Sequence, residues 1–203
     1  MTRVKVCGIT RLEDARRAVD LGADALGFIF HPGSPRCISP EKAAEIIGRL
    51  PPFVACVGVF VNASARRVRS VVRACRLSAV QFHGEESPDY CGGFPVKVIK
   101  GFRVKGSRLP AGISRYAVDA LLLDTFRAGV PGGTGRVFDW DVARRAARYG
   151  RIILAGGLTP GNVREAVETV RPFAVDVASG VESSPGKKDP ALLAEFFRQV
   201  NRC

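Results

Sequence analysis

A chain of 203 residues is long enough to bury one sizeable core, and its 46% hydrophobic and 25% charged residues, with 22 glycines and 13 prolines, exclude a low-complexity or disordered polymer. No apolar run approaches the roughly 18 to 20 residues that cross a bilayer, and Met1 leads into Val4 to Cys7 without the apolar stretch of a signal peptide, so the chain reads as soluble and cytoplasmic. The formal net charge of +12, mostly arginine, favours an anionic partner without choosing among nucleic acid, a membrane surface and a phosphorylated metabolite.

In chain order, short β-branched runs alternate with helical patterns. A strand at Val4 to Cys7 is followed by a helix from about Arg11 to Leu21, with Thr10 and Glu13 spaced as a capping box and Gly22 at its end. Strands are then predicted at Ala25 to Phe30, Val54 to Val61, Ala79 to His83, Val96 to Lys100, Ala120 to Asp124, Ile152 to Ala155 and Ala174 to Ala178. The intervening helices are Pro40 to Arg49, Ala65 to Cys75, short stretches near Ser87 to Tyr90 and Ile113 to Tyr116, then Trp140 to Tyr149, Pro160 to Val170 and Pro190 to Val200. Asp139 and Thr159 have the chemistry of N-caps, Pro160 suits a first helical position and Gly150 a residue after a helix end.

Eight strand-plus-helix units at about 25 residues each imply parallel strands, and that count within 203 residues fits a single compact (β/α)8 TIM barrel, one domain over residues 1–203, better than an open doubly wound sheet. The weak fifth helix is the least regular part of that pattern. Arginines cluster at 66, 67, 69 and 73 and at 144, 145 and 148, but at helical spacing, which reads as solvated helix faces. No helix-turn-helix, zinc-finger or aromatic-interleaved basic stretch supports a nucleic-acid partner. Six cysteines at 7, 37, 56, 75, 91 and 203 form no CxxC pair and read as reduced thiols, and the two histidines, His31 and His83, make a poor zinc set.

In such a barrel the chemistry belongs at the C-terminal strand ends, where the βα loops converge. Those ends carry Cys7, Phe30 with the loop to Arg36, His83, Asp124, Gly156-Gly157 and Ser179-Gly180. The glycine pairs after the seventh and eighth strands let backbone N–H groups approach phosphate oxygens, although each alone could simply make a tight turn. Cys7 could be a small core residue or a reactive thiol. Asp124 closes the apolar run Leu121-Leu122-Leu123, so its carboxyl must face the barrel mouth or lose its hydration.

Taken in order, Lys5-Val6-Cys7-Gly8-Ile9-Thr10, Gly27-Phe28-Ile29-Phe30 with Ser34-Pro35-Arg36, Val57 to Asn62, Gln81-Phe82-His83-Gly84-Glu85-Glu86 and Leu123-Asp124-Thr125 form one series. It continues through Gly132-Gly133-Thr134-Gly135, Leu154 to Leu158 with Pro160 and Asn162-Val163, Val175 to Glu182, Gly186-Lys187 and Asp189. The series, spanning nearly the whole chain, resembles the phosphoribosylanthranilate isomerases of tryptophan biosynthesis. Cys37 stands where that pattern leads one to expect an aromatic residue, and Phe82 where leucine is usual.

The resemblance implies a cofactor-free Amadori rearrangement of N-(5-phosphoribosyl)anthranilate, with Cys7 as general base and Asp124 as general acid. It further implies phosphate held by Gly156, Gly157, Ser179 and Gly180, the anthranilate carboxylate met by Arg36, and Asp176 and His83 in supporting positions at the substrate. No metal or membrane is implied, and the expected state is monomer or homodimer. Related phosphosugar barrels of histidine biosynthesis, and forms that serve both pathways, resemble a pattern that opens with a catalytic aspartate. Cys7 in that position points to the tryptophan-pathway activity alone.

Overall fold

The computed structural model describes residues 1–104, 106–124 and 140–202. Its strands are β1 (Arg3–Cys7), β2 (Ala25–Ile29), β3 (Ala55–Phe60), β4 (Ala79–Phe82), β5 (Lys97–Arg103), β6 (Ala120–Asp124), β7 (Ile152–Ala155) and β8 (Ala174–Val177), with a late pair, β9 (Glu182–Ser184) and β10 (Lys187–Lys188). The first eight form a closed barrel in sequence order in which every pairing is parallel, and β1 pairs with β8 to complete the ring. The helices are α1 (Leu12–Asp20), α2 (Pro40–Ile47), α3 (Ala65–Cys75), α4 (Pro88–Cys91), α5 (Trp140–Ala146), α6 (Val163–Val170) and α7 (Pro190–Val200).

The alternation of strand side chains divides the apolar residues into two sets. One packs outward beneath the helices, with Val6, Leu26, Phe28, Phe60, Val80, Phe82, Leu121, Leu123, Leu154 and Val175 nearly or fully buried. The other fills the barrel interior with Val57, Ala79, Ile99, Ala120, Leu122, Ile153, Ala155 and Ala174. Burial on both faces explains why the strands read as continuous apolar runs rather than as an alternating pattern. Phe82 belongs to the outer set, stacked among Phe60, Tyr90 and Phe94.

Helices form where caps and apolar stripes coincide. Ser39, Ser64 and Ser87 accept from the backbone N–H three residues on, and Asp189 accepts from Ala191 and Leu192. The units after β4 and β5 are the reduced ones: α4 is a single turn, and among the described residues only a 3₁₀ turn, Ile113–Arg115, lies between β5 and β6.

Two predicted caps are corrected. Thr10 does not cap α1; its hydroxyl donates to the Gly186 carbonyl, holding the β9–β10 hairpin, and the N-cap is Arg11 without a side-chain bond. Thr159 and Pro160 do not open α6 either, because Asn162 bridges back, accepting from Thr159 N and donating to the Gly157 carbonyl, so the helix starts at Val163. The Asp139 cap and the Gly132-Gly133-Thr134-Gly135 segment lie outside the described residues. Gly22 does follow α1, at φ +98. The five described cysteines are all free thiols.

Candidate active site

At the C-terminal end of the barrel the strand ends enclose a cavity of about 280 Å³. Every site residue expected from the sequence lines it: Cys7, Arg36, His83, Asp124, Gly156, Gly157, Asp176, Ser179 and Gly180. A roomier groove of about 580 Å³ runs along α1, but its wall is one solvated helix face from Leu12 to Leu21 and carries none of these groups.

Cys7 ends β1 with its side chain inward and is 6% exposed. The room for its sulphur comes from Gly27 on the neighbouring strand, where a Cβ would stand 2.7 Å from Sγ. Burial pushes the Cys7 thiol up, against the pull of the Lys5 and Lys188 ammonium groups. Lys188, at the end of the hairpin, donates to the Cys7 carbonyl (2.7 Å), the Ala178 carbonyl (3.1 Å) and Glu182 Oε1 (2.9 Å), and so ties the ends of β1 and β8 together below the cavity.

Across the mouth, His83 Nε2 lies 3.1 Å from Asp124 Oδ2, and Gln81 Nε2 lies 3.1 Å from His83 Nδ1. With the Gln81 amide donating to Nδ1, the imidazole carries its proton on Nε2 and donates it to Asp124. The ring sits against Gly101 of β5, where a Cβ would come within 2.6 Å of Nδ1. This chain of contacts fixes the Asp124 carboxyl at the rim.

Arg36 enters from the loop after β2 with its guanidinium already forked onto a carboxylate. Nε donates to Glu182 Oε1 and Oε2 at 2.9 and 3.0 Å, and Nη2 to Oε2 at 2.6 Å. Burial alone would raise Glu182, but the bonds from Arg36 and Lys188 hold its carboxyl below the usual range. Asp176, opposite Lys5 in the β1–β8 register, takes a 2.8 Å bond from the Lys5 ammonium on Oδ2, while its buried Oδ1 has no hydrogen-bond partner. Burial pushes the Asp176 carboxyl up despite Lys5.

On the third side, the loops after β7 and β8 meet. Gly156 and Gly157 have φ of +86 and +67, a left-handed run open to glycine, and a Cβ on Gly180 would collide with the Leu158 carbonyl at 1.8 Å. Sequence reasoning missed Lys5, Gln81, Glu182 and Lys188 as members of this site. Lys5 carried a usable signal, because in a strand buried on both faces a lysine two residues before Cys7 must share its inward face; Glu182 and Lys188 carried none before the hairpin was known.

A thiol and a fixed carboxyl lining one small cavity, at the end of the barrel where chemistry collects, make this a (β/α)8-barrel enzyme. Residues 4–199 match the family model described as N-(5'phosphoribosyl)anthranilate (PRA) isomerase. The N-(5'-phosphoribosyl)anthranilate isomerase of Geobacter sulfurreducens is 55% identical over 200 residues, covering 98% of each chain. The crystal structure of phosphoribosyl anthranilate isomerase from Thermotoga maritima superposes with a TM-score of 0.93 at 45% identity, covering 100% of both chains. A crystal structure of a phosphoribosyl anthranilate isomerase in complex with reduced 1-(o-carboxyphenylamino)-1-deoxyribulose 5-phosphate is similar at TM-score 0.89 and 42% identity, again over 100% of both chains. The chain belongs to the phosphoribosylanthranilate isomerase family, the isomerases of tryptophan biosynthesis.

Proposed function

We propose that the chain converts N-(5-phosphoribosyl)anthranilate to 1-(2-carboxyphenylamino)-1-deoxyribulose 5-phosphate, with Asp124 as general acid and Cys7 as general base. The observation that carries this reading is the placement of Cys7 on β1 and Asp124 on β6 around one cavity that also holds Arg36 and the two glycine loops.

Asp124 protonates the ring oxygen as the bond from that oxygen to C1 breaks, and the anilino nitrogen lone pair closes the C1=N bond. The iminium so formed acidifies the C2 hydrogen. The Cys7 thiolate takes that proton, the electron pair moves to nitrogen, and the enolamine tautomerises to the ketone. The iminium is the electron sink, so the chemistry asks for no separate cofactor. His83 holds Asp124 Oδ2 and so fixes the carboxyl that delivers the proton.

Phosphate is held by the backbone of Gly156, Gly157, Ser179 and Gly180. Glu182 occupies Nε and one side of Nη2 on Arg36, which leaves Nη1 and the second Nη2 hydrogen for the anthranilate carboxylate. The open oxygen of Asp176 is suited to a sugar hydroxyl. Among the described residues no helix is long and apolar enough to cross a membrane. A soluble cytoplasmic enzyme working as one domain, monomer or homodimer and without a nucleic-acid partner, fits this chemistry.

The test is to supply freshly made phosphoribosylanthranilate to the purified chain and follow the loss of its fluorescence. Loss well above the rate without protein is expected, with the ribulose phosphate as product. Decay at the protein-free rate refutes the reading.

A further inference from the structure

Among the described residues three lysines are buried, and they differ in how their donor hydrogens are used. Lys100 donates to Phe82 O, Gly84 O and Glu86 Oε2, and Lys188 to Cys7 O, Ala178 O and Glu182 Oε1. Each has an oxygen acceptor for every hydrogen of its ammonium group. Lys5, 3% exposed, has one oxygen acceptor, Asp176 Oδ2. A buried ammonium that does not use its donors carries a free-energy cost that an apolar residue would avoid. Lys5 sits in a barrel interior otherwise filled by Val57, Ile99, Leu122 and Ile153, so packing does not explain it.

The remaining acceptor lies on its own strand. Lys5 and Cys7 are two residues apart on β1, both buried and both on the inward side of the strand, so the charge of the ammonium acts on the sulphur. The charged groups that face Cys7 are Lys5 from β1, Asp176 from β8, Arg36 from the loop after β2, Glu182 from β9 and Lys188 from β10, with the His83 and Asp124 pair across the mouth. Lys188 has an acceptor for each of its hydrogens, and the donors that Arg36 keeps beyond Glu182 are the ones assigned above to the substrate carboxylate. Among the described residues that leaves Lys5, on the same strand and the same face, as the cation with donors to offer the sulphur.

We propose that Lys5, tethered by Asp176 at the foot of Cys7, is the counter-ion of the Cys7 thiolate and so a positioning residue for the isomerisation. The proposal rests on the reading of Cys7 as the base, but it is testable without turnover. Iodoacetamide reacts with thiolate, and mass spectrometry of the Cys7 peptide separates its alkylation from that of the other cysteines.

In Lys5→Met the pH profile of Cys7 alkylation should move to alkaline pH by about one unit or more, a roughly tenfold slower reaction at any pH below the transition. The acid limb of kcat/KM should move with it while KM changes little, and Lys5→Arg should restore most of the shift. Asp176→Asn removes the carboxylate that competes for Lys5, so its alkylation profile should move the opposite way, to acid pH. An unchanged Cys7 profile in folded Lys5→Met overturns the proposal. If that variant does not fold, an Asp176→Asn profile that stays put or moves to alkaline pH overturns it. Alkylation that shifts while the kcat/KM limb stays fixed supports Lys5 as the counter-ion and refutes Cys7 as the base.

Discussion

Of the three buried lysine–carboxylate pairs among the described residues, Lys188–Glu182 belongs to the hairpin beside the site, and the other two have nearly equal geometry but different surroundings. Lys100 lies 3.0 Å from Glu86 with both side chains at most 3% exposed, and Lys5 lies 2.8 Å from Asp176 with both at most 8% exposed. Around Glu86 everything is satisfied: Oε1 accepts from Asn62 N at 2.8 Å, and Oε2 from Gly84 N at 2.9 Å and from Lys100. Tyr116 adds a bond to the Glu86 carbonyl, so this pair clamps the loops after β3 and β4 beside the reduced units that follow β4 and β5. Asp176 keeps an orphaned oxygen beside the cavity, and Lys5 keeps spare donors beside Cys7. Burial of an ion pair therefore does not mark a site in this barrel. An incompletely satisfied pair next to a cavity does.

The largest effect that would separate the two regions is expected at the mouth. Asp124→Asn should lower kcat by about two orders of magnitude or more, because a nearly isosteric amide cannot deliver the ring-opening proton. Steady-state kinetics on a variant whose circular dichroism matches the parent checks this, and an unchanged kcat removes Asp124 from the chemistry.

Next in size is the clamp. Glu86→Gln leaves Lys100 buried without its counter-charge and should cost about 3 to 5 kcal/mol of stability, while kcat per folded molecule stays near the parent value. Denaturant titration with parallel kinetics would show it. A stable but inactive Glu86→Gln protein would erase the distinction between clamp and mouth.

Arg36→Met should lower kcat/KM roughly tenfold to a few hundredfold, from the loss of about 1.5 to 3 kcal/mol in a charge-assisted bond. Inorganic phosphate, which does not meet Arg36 in this arrangement, should inhibit parent and variant with similar constants, and Lys at this position should rescue only in part. Loss of phosphate inhibition would mean that the substrate lies in the reverse direction.

The smallest effect concerns acid stability. The Glu182 carboxyl is held below its ordinary value of 4.5, so its bonds with Arg36 and Lys188 contribute fully above that pH and are lost as pH falls through the folded value. The stability difference between parent and Glu182→Gln should thus be constant above about pH 5 and shrink below pH 4.5. A difference that grows on acidification would contradict the depressed carboxyl.

All eight barrel strands were legible in the sequence to within three residues at their ends, because parallel strands covered on both faces must be apolar runs. β5 exceeded its expected end at Lys100 and runs to Arg103, still paired with β6. Cys7, His83, Asp124 and the glycine loops were legible as well, since strand ends are local features and the barrel brings all of them to one rim. The misread caps at Thr10 and Thr159 show the limit of local pattern: each residue had cap chemistry, but the Thr10 hydroxyl is taken by the distant Gly186 carbonyl, and at Thr159 the Asn162 side chain folds back onto the backbone N–H and delays the helix. Glu182 with Arg36 and Lys5 with Asp176 are separated by 146 and 171 residues, and their meeting follows from ring closure and from a hairpin with no apolar run to announce it.

The measurement that bears most directly on the chemistry of the mouth is kcat for Cys7→Ala, followed by loss of phosphoribosylanthranilate fluorescence, alongside its thermal unfolding. A fall in kcat of about two orders of magnitude or more, with cooperative unfolding retained, is the predicted result. Near-parent turnover in a folded Cys7→Ala protein would contradict it and would place the base elsewhere on the rim.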